Sequence, residues 1–91
     1  MASPAQVAND MAARANFWWG RDKKVAAACR DAARVIRGYL GGPPPDGPTV
    51  SELLARIYDV DALGSVDTVH SLSRAANTIR DLRKEIVHAT R

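Results

Sequence analysis

Residues 41–48 read Gly-Gly-Pro-Pro-Pro-Asp-Gly-Pro, and no other stretch limits the fold of this chain so firmly. Two glycines end a helix, and prolines, which lack an N–H and fix φ near about −65°, hold an extended connector. The chain therefore divides into two halves of helical character, 4–40 and 49–89, joined by a stiff loop over 41–48 that lets the second half turn back on the first. Pro45 and Pro48 also have the spacing of a PxxP docking segment, but a reversing loop is the simpler role.

Within the first half, Ser3-Pro4-Ala5-Gln6 is a helix start: Ser3 caps, Pro4 suits the first helical position and Gln6 completes a capping box. Val7, Met11, Ala15 and Trp18 then run down one face. Gly20 predicts a break or kink, with Asp22 capping a second helix. From Asp22 to Leu40, read at about 100° per residue, two faces separate. Lys23, Arg30, Arg34 and Arg37 fall on one; Val25, Cys29, Ala32, Val35, Ile36, Tyr39 and Leu40 fall on the other. In Phe17-Trp18-Trp19, the first two rings are expected to anchor the core and Trp19 to lie at its edge, beside Arg21, Lys23 and Lys24.

In the second half, Thr49-Val50-Ser51-Glu52 has capping-box spacing and precedes Leu53, Leu54, Ile57 and Tyr58, which are expected to face inward. Ser65 can cap a last helix whose apolar stripe comprises Val66, Val69, Leu72, Ala76, Ile79, Leu82 and Ile86 and which reaches Val87 or beyond. His70, Arg74, Asn77, Asp81, Lys84 and His88 cluster on its other side. No stretch alternates as a strand would. The expected fold is all-α, a single-domain bundle of three to four helices.

Charge is uneven. The formal net charge is +3, but residues 21–40 carry six cations against Asp22 and Asp31, residues 46–67 are acidic by four, and residues 68–91 return to a net +3. A basic–acidic–basic layout suits contact with nucleic acid or association through complementary patches, and solvated helix faces would produce it as well. Much of the 46% apolar share is alanine, so the core depends on few large side chains and a homodimer is a reasonable expectation. One cysteine excludes a disulfide framework within the chain and fits a reducing compartment; Cys29 reads as a small core residue. No segment has the apolar length of a membrane span, and Met1 to Gln6 lack a signal peptide's basic and apolar regions, so a cytoplasmic location is expected.

Two stretches invite functional readings. Thr49 to Leu54 resembles the first helix of a bacterial helix-turn-helix, and Ser65 to Arg74 resembles its recognition helix, with Ser65, Thr68, Ser71 and Arg74 as the groups that would reach base edges and phosphates. The connection from Asp59 to Gly64 is long for that turn, and no wing follows, which leaves a plain helical hairpin as the competing account. Arg83-Lys84-Glu85-Ile86-Val87-His88 resembles the R-x4-6-H element of HEPN domains. That resemblance implies a metal-independent RNase with Arg83 and His88 in its site, although Lys84 stands where the family usually has a small polar residue. Arg83 falls on the apolar stripe of its helix, where the alternatives are a snorkelling side chain or a pair with Asp31 or Asp59.

No cofactor, zinc-ligand set, paired carboxylates or phosphate-cradling loop is legible. The short, alanine- and arginine-rich helical character is similar in type to small phage and prophage accessory proteins, which include regulators and anti-CRISPR inhibitors. The leading expectation is a non-enzymatic binding protein acting on nucleic acid or a nucleoprotein complex. Lys23, Lys24, Arg30, Arg34 and Arg37 would carry it, assisted by Trp19 and Arg21. A protein-binding inhibitor or assembly subunit without nucleic-acid contact is the other alternative.

Overall fold

The computed structural model describes residues 3–42, 44–60 and 65–89, with side chains through residue 85. Four helices follow in order: α1 (Pro4–Trp18), α2 (Lys23–Gly41), α3 (Gly47–Asp59) and α4 (Val66–Ala89). The described residues contain no strand, and the fold is the expected small all-α bundle. No described helix is long and apolar enough to cross a membrane.

α2 and α4 are packed against each other, and α1 and α3 each pack on both of them without touching one another. The core is a single cluster in which Met11, Cys29, Ile36, Val50, Leu53, Leu72 and Ile79 are essentially closed to solvent. Alanines occupy much of the remaining interior, among them Ala8, Ala26, Ala28, Ala32, Ala75 and Ala76. Small side chains bring helix axes close together and leave less area buried per residue than leucine would.

The helix starts are set by side-chain caps. Ser3 and Gln6 form the reciprocal capping box of α1, the Gln6 Oε1 accepting from the Ser3 N–H at 2.9 Å. The chain then breaks over Trp19–Arg21, and Asp22 caps α2 by accepting from the backbone N–H groups of Lys24 and Val25. Ser65 caps α4 through the Thr68 N–H at 3.3 Å.

α3 begins earlier than the Thr49–Glu52 spacing suggests. Asp46 is its N-cap and accepts from the Thr49 N–H, and Pro48 sits inside the first turn, where its missing N–H costs nothing. Gly47 and Pro48 therefore belong to the helix and not to the connector. Hydrogen bonds from the Thr49 side chain and backbone hold the Asp46 carboxyl below its ordinary pKa.

Several side chains expected inside lie outside. Phe17 is 53% exposed and Tyr58 55%. Each instead offers a ring face to an arginine: Arg21 Cζ lies 4.1 Å from the Phe17 centroid and Arg80 Cζ 5.1 Å from that of Tyr58. Leu40 is also exposed, in the last turn of α2, one turn beyond the contact of Arg37 with Asn9, where α1 is running out. In the first turns of α4, Val66 and Val69 are exposed and Thr68 and Ser71 are buried. A tryptophan N–H in the interior demands an acceptor, and Thr68 supplies it to Trp18 at 3.1 Å. That requirement turns the threonine inward and the valines out.

Candidate functional site

The basic row of α2 is real in three dimensions. Lys23, Arg30, Arg34 and Arg37 are all exposed, and over fourteen residues their axial span is about 21 Å. What the sequence did not announce is the wall that α1 builds opposite them. Ala12, Ala15, Asn16 and Trp19 face Ala26, Arg30, Ala33, Arg34 and Arg37 across a groove of about 370 Å³. Close alanine packing makes the floor, and the long arginine side chains rise above it.

The two helices run antiparallel, so each end of the groove has its own pairing. At one end the Trp19 ring, 54% exposed, has Arg30 Cζ 5.8 Å and Lys23 Nζ 6.0 Å from its centroid. Cation–ring contacts at such distances hold the ring and the charges in one place while leaving ring surface open. At the other end Arg37 Nη2 donates to Asn9 Oδ1 at 3.2 Å. Among the described residues no carboxylate lines this groove, and Lys23 borders it from a neighbouring cleft that includes Asp22 and Asp59. The acid nearest the row is Asp31, 3.7 Å from Arg30 Nε, and its other oxygen is held at 2.6 Å by Arg56 of α3. Asp10 of α1 is paired with Arg14 at 3.2 Å.

Two expected members of the row are elsewhere. Lys24 follows Lys23 by one residue and so points about 100° around the helix, and both lysines line a second cleft with Asp22, Arg56 and Asp59. Arg21 folds back on α1: its Nη1 donates to the Phe17 carbonyl at 2.6 Å, a cation set against the negative end of a helix.

The helix-turn-helix set does not form a common surface. Thr68 is 2% exposed and Ser71 is buried, Ser65 is half-buried, and only Arg74 is exposed. Thr68 Oγ1 accepts from Trp18 Nε1 and, at 3.3 Å, from Arg14 Nη1, and it is hydrogen-bonded to Ser65 Oγ at 3.0 Å. Its work is internal, so it is not available to a base edge.

Of the HEPN-like pair, Arg83 is exposed and its guanidinium lies over Gly47, with Nη2 3.5 Å from the point where a Cβ on that glycine would stand. It reaches the first turn of α3 from the residue after Leu82, the last buried side chain among the described residues. The side chain of His88 lies outside the described residues.

Cys29 is buried, and burial chiefly pushes its thiol up to about 11, with Arg14 lowering it and Asp10 raising it. It is protonated and enclosed at neutral pH, which is the condition of a core residue and not of a nucleophile.

The residues missed in the sequence, Asn9, Ala12 and Asn16, do have a signal. With Trp19 they recur at helical spacing beside the buried stripe of α1. No protein-family model matches the chain, and no characterised protein or solved structure matches it either.

Proposed function

We propose that the protein binds nucleic acid, free or within a nucleoprotein complex, along the α1–α2 groove. The observation that carries this reading is the alignment of four exposed cations on α2, three of which, Arg30, Arg34 and Arg37, line a groove that holds an exposed tryptophan and, among the described residues, no carboxylate. The mechanism is phosphate neutralisation: each backbone phosphate that meets Lys23, Arg30, Arg34 or Arg37 releases condensed counterions. Arginine suits the task because its planar fork can donate two parallel hydrogen bonds to one phosphate. A small phage-type regulator, or an anti-CRISPR-like inhibitor that occupies a nucleoprotein complex, would use such a row in this way.

The test is a salt series of binding to labelled DNA and RNA by fluorescence anisotropy. Four phosphate contacts set a slope of log K against log salt of about −3 for a single strand. Arg30→Glu with Arg34→Glu should cut affinity at least tenfold at low salt and roughly halve that slope, since two of four contacts are lost. Unchanged binding in the double variant would refute the assignment to this row. Cleavage of the RNA, lost in His88→Ala, would support the nuclease reading in its place.

A further inference from the structure

Resting on that reading, we infer that the groove is built for a single strand, with one unpaired base stacked on Trp19. Three observations converge. The indole is 54% exposed at the end of the groove, with Lys23 and Arg30 over its ring at about 6 Å, cations that an inserted base would displace toward its own phosphates. A ring so placed is a platform for a base, and in a duplex every interior base face is already covered by its neighbours. Second, α2 is packed against all three other helices. Its exposed cationic face is flanked by α1, which leaves less clearance for a duplex than for a single strand. Third, Arg30, Arg34 and Arg37 stand along one side of a groove whose opposite wall is α1, with the amide of Asn16 in that wall. A strand laid along the groove meets phosphate-binding groups on one edge and, at one end, a stacking surface. A row about 21 Å long suits roughly four nucleotides of extended strand.

The geometry also separates this partner from an acidic protein segment. A carboxylate-rich peptide would satisfy the arginines equally well but would gain nothing particular from an open indole face. Stacking is sequence-tolerant, because every base has a π-face, so the preference expected is for strandedness and not for sequence.

The decisive experiment compares a dT 12-mer, a U 12-mer and a 12-base-pair duplex in the same buffer, with Trp19→Ala and Trp19→Phe beside the parent protein. Either single strand should bind at least tenfold more tightly than the duplex. Trp19→Ala should weaken single-strand binding by roughly tenfold or more, the size of one stacked base, and Trp19→Phe should restore most of it. Asn16→Asp, which sets a carboxylate in the groove at an exposed position, should weaken single-strand binding without altering the melting curve.

Duplex binding as tight as single-strand binding, or an identical loss on every ligand in Trp19→Ala, overturns the single-strand inference while leaving the basic-row reading in place. Displacement of dT by polyglutamate at equal charge concentration overturns it in favour of an acidic protein. Absence of binding to any of the three nucleic acids removes both readings.

Discussion

Trp18 and Trp19 are neighbours in the chain and opposites in the fold. Trp18 is 5% exposed, donates its N–H to Thr68, and meets the Phe17 ring in a T-shaped contact at 5.5 Å and 82°. Trp19 is half open, with Lys23 and Arg30 beside it. Consecutive helical residues diverge by about 100°, and here that angle separates a closed cluster at the α1–α4 contact from an open one at the α1–α2 groove. Both contain an indole and an arginine. In the first, Arg14 is neutralised by Asp10 and every polar group has an internal partner, which is sufficient to explain why the residues are there. In the second, Arg30, Arg34 and Arg37 line a groove that has no carboxylate among the described residues. Function is best sought where internal partners are incomplete.

The comparison is broken most easily by truncating each ring. Trp18→Ala removes a large buried side chain and should cost about 3–5 kcal/mol, a large part of the stability of so small a domain. Trp19→Ala should change stability by no more than about 0.5 kcal/mol, as an exposed substitution. Urea unfolding followed by circular dichroism measures both. Similar losses at the two positions would mean that Trp19 is a packing residue and that its exposure carries no functional weight.

A smaller effect isolates the hydrogen bond inside the closed cluster. Thr68→Val keeps the volume and leaves the buried Trp18 N–H without its acceptor, at a cost of about 1–3 kcal/mol. In a Trp18→Phe background that N–H is gone, and the added cost of Thr68→Val should shrink to a fraction of this value. An undiminished cost would place the role of Thr68 with Arg14 or Ser65 and not with the indole.

These two clusters also mark how far the sequence can be read. Helix content, the Gly/Pro division and the caps Ser3, Asp22 and Ser65 follow from local chemistry, which depends on residues no more than a turn apart. The start of α3 is expected at the Thr49–Glu52 box and lies instead at Asp46, because the Asp46 carboxylate accepts from the Thr49 N–H and the first turn accommodates Pro48. Burial at the margins of a stripe is not local. Phe17, Tyr58, Val66 and Val69 each sit at the edge of an apolar arc, and whether an edge residue is covered depends on which helix lies opposite. The helix-turn-helix resemblance sets Thr68 toward a base edge because nothing in its own helix reveals that Trp18, fifty residues earlier, needs an acceptor. The row of Lys23, Arg30, Arg34 and Arg37 was legible from one helix alone, whereas the groove exists only once Ala12 and Ala15 of α1 are set against Ala26 and Ala33 of α2.

The finest test of the contrast is the sign of the field at Trp19. A neutral quencher such as acrylamide reports exposure alone. Iodide reports exposure multiplied by the local anion concentration, which a positive groove raises. In a Trp18→Phe variant, whose fluorescence comes from Trp19, iodide should quench more efficiently relative to acrylamide than it does for free tryptophan. The excess should fade as chloride is added, because the Debye length drops from about 30 Å at 0.01 M to about 10 Å at 0.1 M. Arg30→Glu with Arg34→Glu should abolish the iodide excess and leave the acrylamide value unchanged. An iodide ratio equal to that of free tryptophan would mean that Asp31 and the solvent already neutralise the row. The difference between the two tryptophans would then be one of burial only, and the α1–α2 groove would lose its claim to a polyanionic ligand.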